Sequence, residues 1–197
     1  MTDAATFWDN VAPKYAQDPI KDMAAYEYTL ERTKSYLRED DRVLEMGCGT
    51  GSTALLLAPL VRQIMGTDIS PAMVQIANQK AVSGGVGNAD FVVATASDAT
   101  ELAGTYDAVL GFNLYHLVQG AEGIFDGVFQ MLPKGGYFIT KTPCLGDKSV
   151  GLKRFAFKAM IPVMQWFGKA PFVRFFTHKE LEDALRFSGF EIVESGN

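Results

Sequence analysis

Apolar positions along this chain follow two alternating rhythms. Short apolar blocks predict strands over 42–46 (RVLEM), 62–68 (RQIMGTD), 89–94 (ADFVVA), 106–112 (YDAVLGF), 136–142 (GYFITKT) and 190–194 (FEIVE). Between them apolar residues return every three or four positions, the spacing of one helix face, over 52–60, 70–82, 121–132 and 177–189. Local signals mark the ends. Pro59 helps to stop the first helix, and Ser70 caps the second with Pro71 at its first position. A PKGG run closes the third. Thr177 and Glu180 form a capping box for the fourth, which stops at Gly189. A further helix over 26–37 sets Tyr26, Leu30, Thr33 and Leu37 at helical spacing. Val- and Ile-rich strands alternating with helices make an α/β fold. It is a Rossmann-like, doubly wound, mostly parallel sheet with helices on both faces. With 197 residues and no internal repeat, one domain is the economical reading.

The first strand runs into LEMGCGTGS (44–52), which holds three glycines in five positions. Such sheets bind ligands at the carboxyl ends of their strands, beside strand 1. Glycines there let the backbone approach a ligand, and the next helix offers its N–H groups. A phosphate-binding P-loop needs a lysine after its second glycine, where Ser52 and Thr53 stand. The dinucleotide pattern G-x-G-x-x-G would end on Ser52. The remaining pattern is E-x-G-x-G-x-G, led by Glu45. A carboxylate there repels a pyrophosphate and suits a cation, such as the amino group of a methionine moiety. Asp68 ends the second strand, about 20 residues beyond the loop, where a carboxylate accepts from ribose hydroxyls. Its alternative role, capping the next helix, is already filled by Ser70.

The stretches VLEMGCGTG, GTDIS and YDAVLGFNLYHL resemble the class I S-adenosylmethionine-dependent methyltransferases. The resemblance covers nearly the whole chain and is nearest to the small-molecule and lipid branch, type 11-like. It implies a methyltransferase that uses S-adenosylmethionine and releases S-adenosylhomocysteine. Glu45, Gly47, Cys48, Gly49 and Gly51 would then line the methionine and ribose part of the cofactor. Asp68 would hold the ribose hydroxyls, and Ile69 and Met73 would flank the adenine. The next contact falls in VATASDA, where counting from Phe91 favours Thr95 and Ala96 and side-chain chemistry favours Asp98. Phe112 and Asn113 would face the methionine side and the acceptor. In FWDNVAPKYAQDPI, similar to the family's leading helix, Tyr15 would close over the cofactor, while Phe7 and Trp8 dock the helix on the core. The resemblance thus implies one methyltransferase domain over 1–197, with an N-terminal helical lid over 1–38 and a substrate-cap insertion over 144–176. The family's sheet ordinarily gains a seventh, antiparallel strand. The chain ends at Asn197, so that strand is expected to be missing and the sequence to be shortened.

Methyl transfer from a sulfonium is a single displacement that needs a base only where the acceptor arrives protonated. His116, in NLYHL, is the candidate catalytic base. Its alternative role, ordering the wall of the cofactor site, is the one expected here. Charge narrows the acceptor. The net charge of −5 argues against a general nucleic-acid surface. Residues 148–174 nevertheless carry six basic residues (Lys148, Lys153, Arg154, Lys158, Lys169, Arg174) and no acid, a +6 segment that leaves −11 on the rest. Pro162 is expected to kink or split any helix here and Gly168 to end it. Leu152, Phe155, Ala159 and Val163 share a face, whereas Phe157, Met160 and Met164 point elsewhere. Either the segment is a cap over the cofactor pocket with lysines reaching water, or it is a basic amphipathic surface in peripheral contact with an anionic membrane. Both favour a small hydrophobic or amphiphilic acceptor, a lipid amine or a quinone-like ring. The alternatives are a non-catalytic cofactor-binding module and an NAD-type Rossmann oxidoreductase or epimerase. Cys48 and Cys144 have no Cys or His at metal-ligand spacing, so no metal is expected. The start of the chain shows no basic-then-apolar leader, which makes the cytoplasm the default compartment.

Overall fold

The computed structural model describes residues 4–102 and 104–196. Two helices, α1 (Ala4–Tyr15) and α2 (Met23–Lys34), precede the sheet. Its strands are β1 (Arg42–Met46), β2 (Gln63–Asp68), β3 (Ala89–Val93), β4 (Ala108–Phe112) and β5 (Tyr137–Lys141). They pair in the order β3-β2-β1-β4-β5, every pair parallel. Parallel neighbours need crossover connections. These are α3 (Ser52–Leu57) and α4 (Pro71–Ser83), then α5 (Ala96–Ala99) before β4, and α6 (Ala121–Met131).

Side chains alternate across the sheet. Val43 packs with Leu57, Ile64, Ala77 and Phe91 on one face, while Leu44 and Met46 pack with Val109, Tyr115, Phe125 and Val128 on the other. Because both faces are covered, β1 is apolar at every position except its first and Glu45. The strand order turns back between β1 and β4, which opens a crevice at their carboxyl ends.

Three details differ from the sequence expectation. Residues 190–194 do not form a strand, and among the described residues no strand follows β5. Phe190 instead packs on Phe129 and Phe138, each with ring centroids 5.2 Å away. Glu194 is held by Arg32 and by the Tyr36 hydroxyl, which donates at 2.6 Å. Side chains, not backbone pairing, fix this tail. Second, α7 (Lys153–Trp166) runs through Pro162 without a break. It ends where expected, at Gly168, with Gly168 N–H on the Gln165 carbonyl (3.0 Å) and Lys169 N–H on the Met164 carbonyl (2.8 Å). Third, α2 starts at Met23, because Asp22 caps it by accepting from Ala25 N–H. The last helix, α8 (His178–Phe187), carries the Thr177–Glu180 capping box.

Candidate functional site

After Met46 the backbone turns through Gly47, Gly49 and Gly51 at φ +66°, +55° and +73°, a region that strains any residue with a Cβ. A Cβ on Gly51 would also lie 2.8 Å from Ala77 and the Phe91 ring. The loop is tied to β2 at two points. Cys48 N–H donates to the Thr67 carbonyl and Gly49 N–H to Asp68 Oδ2, both at 2.9 Å. Asp68 Oδ1 accepts from Ser70 N–H at 2.9 Å. A carboxylate offers about four lone-pair positions, so Asp68 keeps capacity for further donors. The Cys48 thiol is buried against Gly66 and Phe91, so this residue can present only backbone to a ligand.

Glu45 lies beneath the loop and is only 3% exposed. Its Oε2 is buried without a hydrogen-bond partner. Burial pushes its carboxyl up to about 8, with the Asp68 charge adding to the effect and the Ala54 backbone N–H opposing it. An unpartnered buried carboxylate oxygen is costly. A donor that also brings positive charge would relieve the cost.

The leading helix covers this point. Asp9 of α1 accepts from Ser70 Oγ at 2.5 Å and from Ala72 N–H at 2.9 Å, which docks α1 on the start of α4. At the end of α1, Tyr15 lies over Gly49, with a ring carbon 3.7 Å from where a Cβ would stand. Partial burial, Asp68, Glu45 and Tyr26 all raise its hydroxyl pKa. The Tyr26 hydroxyl of α2 is 3.3 Å from Thr53 Oγ1. Lys141, at the end of β5, holds α2 through the Ala25 carbonyl (3.1 Å) and Thr29 Oγ1 (3.0 Å). Lys80 of α4 donates to Thr50 and Ser52 at 2.8 and 3.1 Å and so braces the loop from its far side.

Beside Asp68, Ile69 is half-buried and Met73 buried. Asp68 pairs in register with Val93, and the chain beyond enters α5 through a capping box. Thr95 Oγ1 accepts from Asp98 N–H (3.0 Å), and the Asp98 carboxylate accepts from Thr95 N–H (3.3 Å). Thr95, Ala96 and Asp98 therefore share one short turn, and the Asp98 carboxylate is engaged with its own helix start.

On the other side of the crevice, half-buried Phe112 ends β4 and exposed Asn113 follows with φ +55°, a conformation Asn tolerates. His116 stands in the short 3-10 turn Tyr115–Leu117. Its Nδ1 is buried without a partner, and burial lowers its pKa to about 4, so the ring is neutral at pH 7. The His116 carbonyl accepts from Arg174 N–H at 2.7 Å. Arg174 also grips Glu122 with both guanidinium nitrogens, at 2.8 and 2.6 Å, and lies 4.1 Å over the Phe176 ring. The two ends of the 144–176 segment meet below it. Gly146 N–H donates to the Phe176 carbonyl and His178 N–H to Asp147 Oδ2, both at 2.8 Å.

The structure thus brings Tyr15, Glu45, the glycines and Asp68 together, with Phe112, Asn113 and His116 on the β4 side. Sequence reasoning overlooked Asp9, Tyr26 and Lys80 as parts of the site. Their partners lie 61, 27 and 30 residues away, so no local pattern marks them. In the sequence Arg174 is only one of six basic residues in 148–174.

Comparison with known proteins gives a consistent picture. The family described as "Methyltransferase domain" matches residues 13–195. The ubiquinone biosynthesis O-methyltransferase of Rhizobium johnstonii is 27% identical over 177 residues, 89% of this chain and 70% of that protein. The 23S rRNA (uracil(1939)-C(5))-methyltransferase RlmD of Pseudomonas aeruginosa is 35% identical over 105 residues, 53% of this chain and 23% of that protein. Among solved structures, the YcgJ protein of Bacillus subtilis superposes with a TM-score of 0.69 at 22% identity, over 82% of this chain and 68% of its own. The [4+2]-cyclase SpnF does so with a TM-score of 0.72 at 23% identity, over 96% and 73%. These two likenesses concern the fold.

Proposed function

We propose, from the premise that this chain belongs to the methyltransferase domain family and is an S-adenosylmethionine-dependent methyltransferase, that its acceptor is a small hydrophobic or amphiphilic molecule. A quinone-like ring hydroxyl fits best, and a lipid amine is the second choice. The observation that carries this is the docking of the cap. Arg174 N–H binds the His116 carbonyl and so ties the end of an aromatic, acid-free segment to the turn that carries the half-buried imidazole. The Rhizobium relative, named for ubiquinone biosynthesis and O-methylation, supports a hydroxyl over an amine.

The residues at the crevice fit the cofactor. Bound S-adenosylmethionine supplies an activated methyl on a sulfonium and leaves as S-adenosylhomocysteine. Glu45, with its unpartnered Oε2, would hold the ammonium of the methionine part. Asp68 would take the ribose hydroxyls on its free lone pairs. The backbone of Gly47, Cys48, Gly49 and Gly51 would run along them and Tyr15 would cover them. Ile69 and Met73 would border the adenine, with Thr95, Ala96 or Asp98 at its edge. Phe112 and Asn113 would lie between the methionine part and the acceptor.

The protein's main tasks are then to align the acceptor and exclude water. His116, with its pKa near 4, is a weak proton acceptor at neutral pH. Its free Nδ1 suits a hydrogen bond from an acceptor hydroxyl, which makes it a positioning residue. The net charge of −5 supports a small molecule over nucleic acid.

A labelled-methyl transfer screen over phenolic quinone precursors, lipid amines and ribosomal RNA tests the acceptor class, with calorimetry against S-adenosylhomocysteine and NAD beside it. Transfer to the phenolic set with S-adenosylhomocysteine binding is expected. Transfer to RNA alone would refute the acceptor class, and binding of NAD alone would refute the cofactor assignment.

A further inference from the structure

The helix α7 is apolar on two opposite sides. Its inner side, Phe157, Ile161 and Met164, is half-buried on the molecule. Its outer side leaves Leu152 and Trp166 each 85% exposed, Phe155 57% and Val163 54%, and Phe167 follows at 70%. With Ala159, the outer residues step by three or four positions, so they form one continuous stripe along the helix. Soluble monomers rarely leave such a strip uncovered.

Charge selects what covers it. No acid occurs between Lys148 and Arg174. Arg174 is neutralised by Glu122, and Lys158 lies 5.8 Å over the Phe175 ring with its charge felt by Glu180, so the segment as a whole keeps an excess of positive charge. Symmetric pairing with a second copy would set this basic segment against itself. Among the described residues no helix is long and apolar enough to cross a membrane, so a lipid contact of this helix lies along the surface. A basic helix with Trp and Phe on its apolar side suits the boundary between headgroups and acyl chains.

We propose that α7 is a peripheral docking surface for an anionic lipid bilayer, with the stripe from Leu152 to Trp166 seated below the headgroups and the positive charge of the 148–174 segment drawn to the phosphates. The surface is separate from the donor site and lies on the outer side of the segment on which the acceptor reading above rests.

Flotation of the full chain with phosphatidylglycerol or phosphatidylcholine vesicles tests it. Binding to phosphatidylglycerol is expected, weaker to phosphatidylcholine and reduced by salt. The emission of Trp166 should shift to the blue on binding, and Trp166→Phe should lose that shift. Lys169→Gln should weaken binding about fivefold, and Trp166→Ser with Phe167→Ser by about tenfold or more. S-adenosylhomocysteine binding confirms that each variant is folded. Failure to bind phosphatidylglycerol vesicles at low salt would overturn the proposal. So would a folded double variant that binds like the parent. A concentration-dependent dimer abolished by the same double variant would also overturn it and make the stripe an interface between copies.

Discussion

Replacing Glu45 by Gln tests the reading of the donor site most directly. In the folded chain this carboxyl is pushed up to about 8, against an ordinary value of 4.5. Between those two pH values the folded state keeps a proton that the unfolded chain has lost. Stability therefore falls as pH rises from 4.5 and levels off above 8. The loss accumulated by pH 7 is about 3 kcal/mol. A glutamine carries no such penalty. Without cofactor, Glu45→Gln should melt roughly 5–10 °C above the parent at pH 7–8, and the two should converge near pH 5. Binding should move the other way. An ammonium beside Glu45 favours its charged form, so S-adenosylmethionine binding at pH 7 should expel about one proton. Calorimetry in buffers of different ionisation enthalpy reads that number directly. The glutamine variant should expel none and bind about 10–100-fold more weakly. A melting difference unchanged between pH 5 and pH 8 would refute the buried neutral carboxyl. Undiminished affinity in Glu45→Gln would refute its role as the ammonium's partner.

Three further outcomes follow from the site. Tyr15 is 55% exposed, so Tyr15→Ala should cost less than about 1 kcal/mol of stability while raising the cofactor Kd about tenfold, measured by calorimetry. Asp9→Ala removes two hydrogen bonds between α1 and α4; it should cost about 1–2 kcal/mol and speed amide exchange over 4–15 selectively. His116→Gln should keep turnover within about tenfold of the parent and raise KM more than it lowers kcat; complete loss of turnover with cofactor binding intact would make His116 an obligatory base.

The central strands β1 and β4 were legible because they are buried within a sheet covered on both faces, where a continuous apolar block has few other uses; the edge strands β3 and β5, only partly buried, were legible from short runs of β-branched and aromatic residues. FEIVE over 190–194 has the same composition but no strand beside it. Without a paired edge its backbone gains nothing from extension, and Phe190 and Glu194 find partners as side chains. Pro162 misled in the opposite direction, since the helix tolerates the missing donor and stops only at the left-handed Gly168. At the site, Glu45 and Asp68 were readable because the loop and strand ends that hold them are local in sequence. The capping box of Thr95 and Asp98 was equally local but went unread among the candidate adenine contacts. Asp9, Tyr26, Lys80 and Arg174 depend on packing between distant segments, which no periodicity encodes.

The hydrogen bond between Gly146 and the Phe176 carbonyl has a consequence for how this fold changes over time. It closes the excursion 147–175 at its base, so both ends stay fixed whatever lies between them. Lengthening such a loop costs little, since closure entropy grows only logarithmically. The segment proposed to face the acceptor can thus be rewritten or exchanged while the residues proposed to hold the donor, all before residue 100 apart from Phe112 and Asn113, keep their places. Selection can retarget the reaction without rebuilding the machinery that drives it.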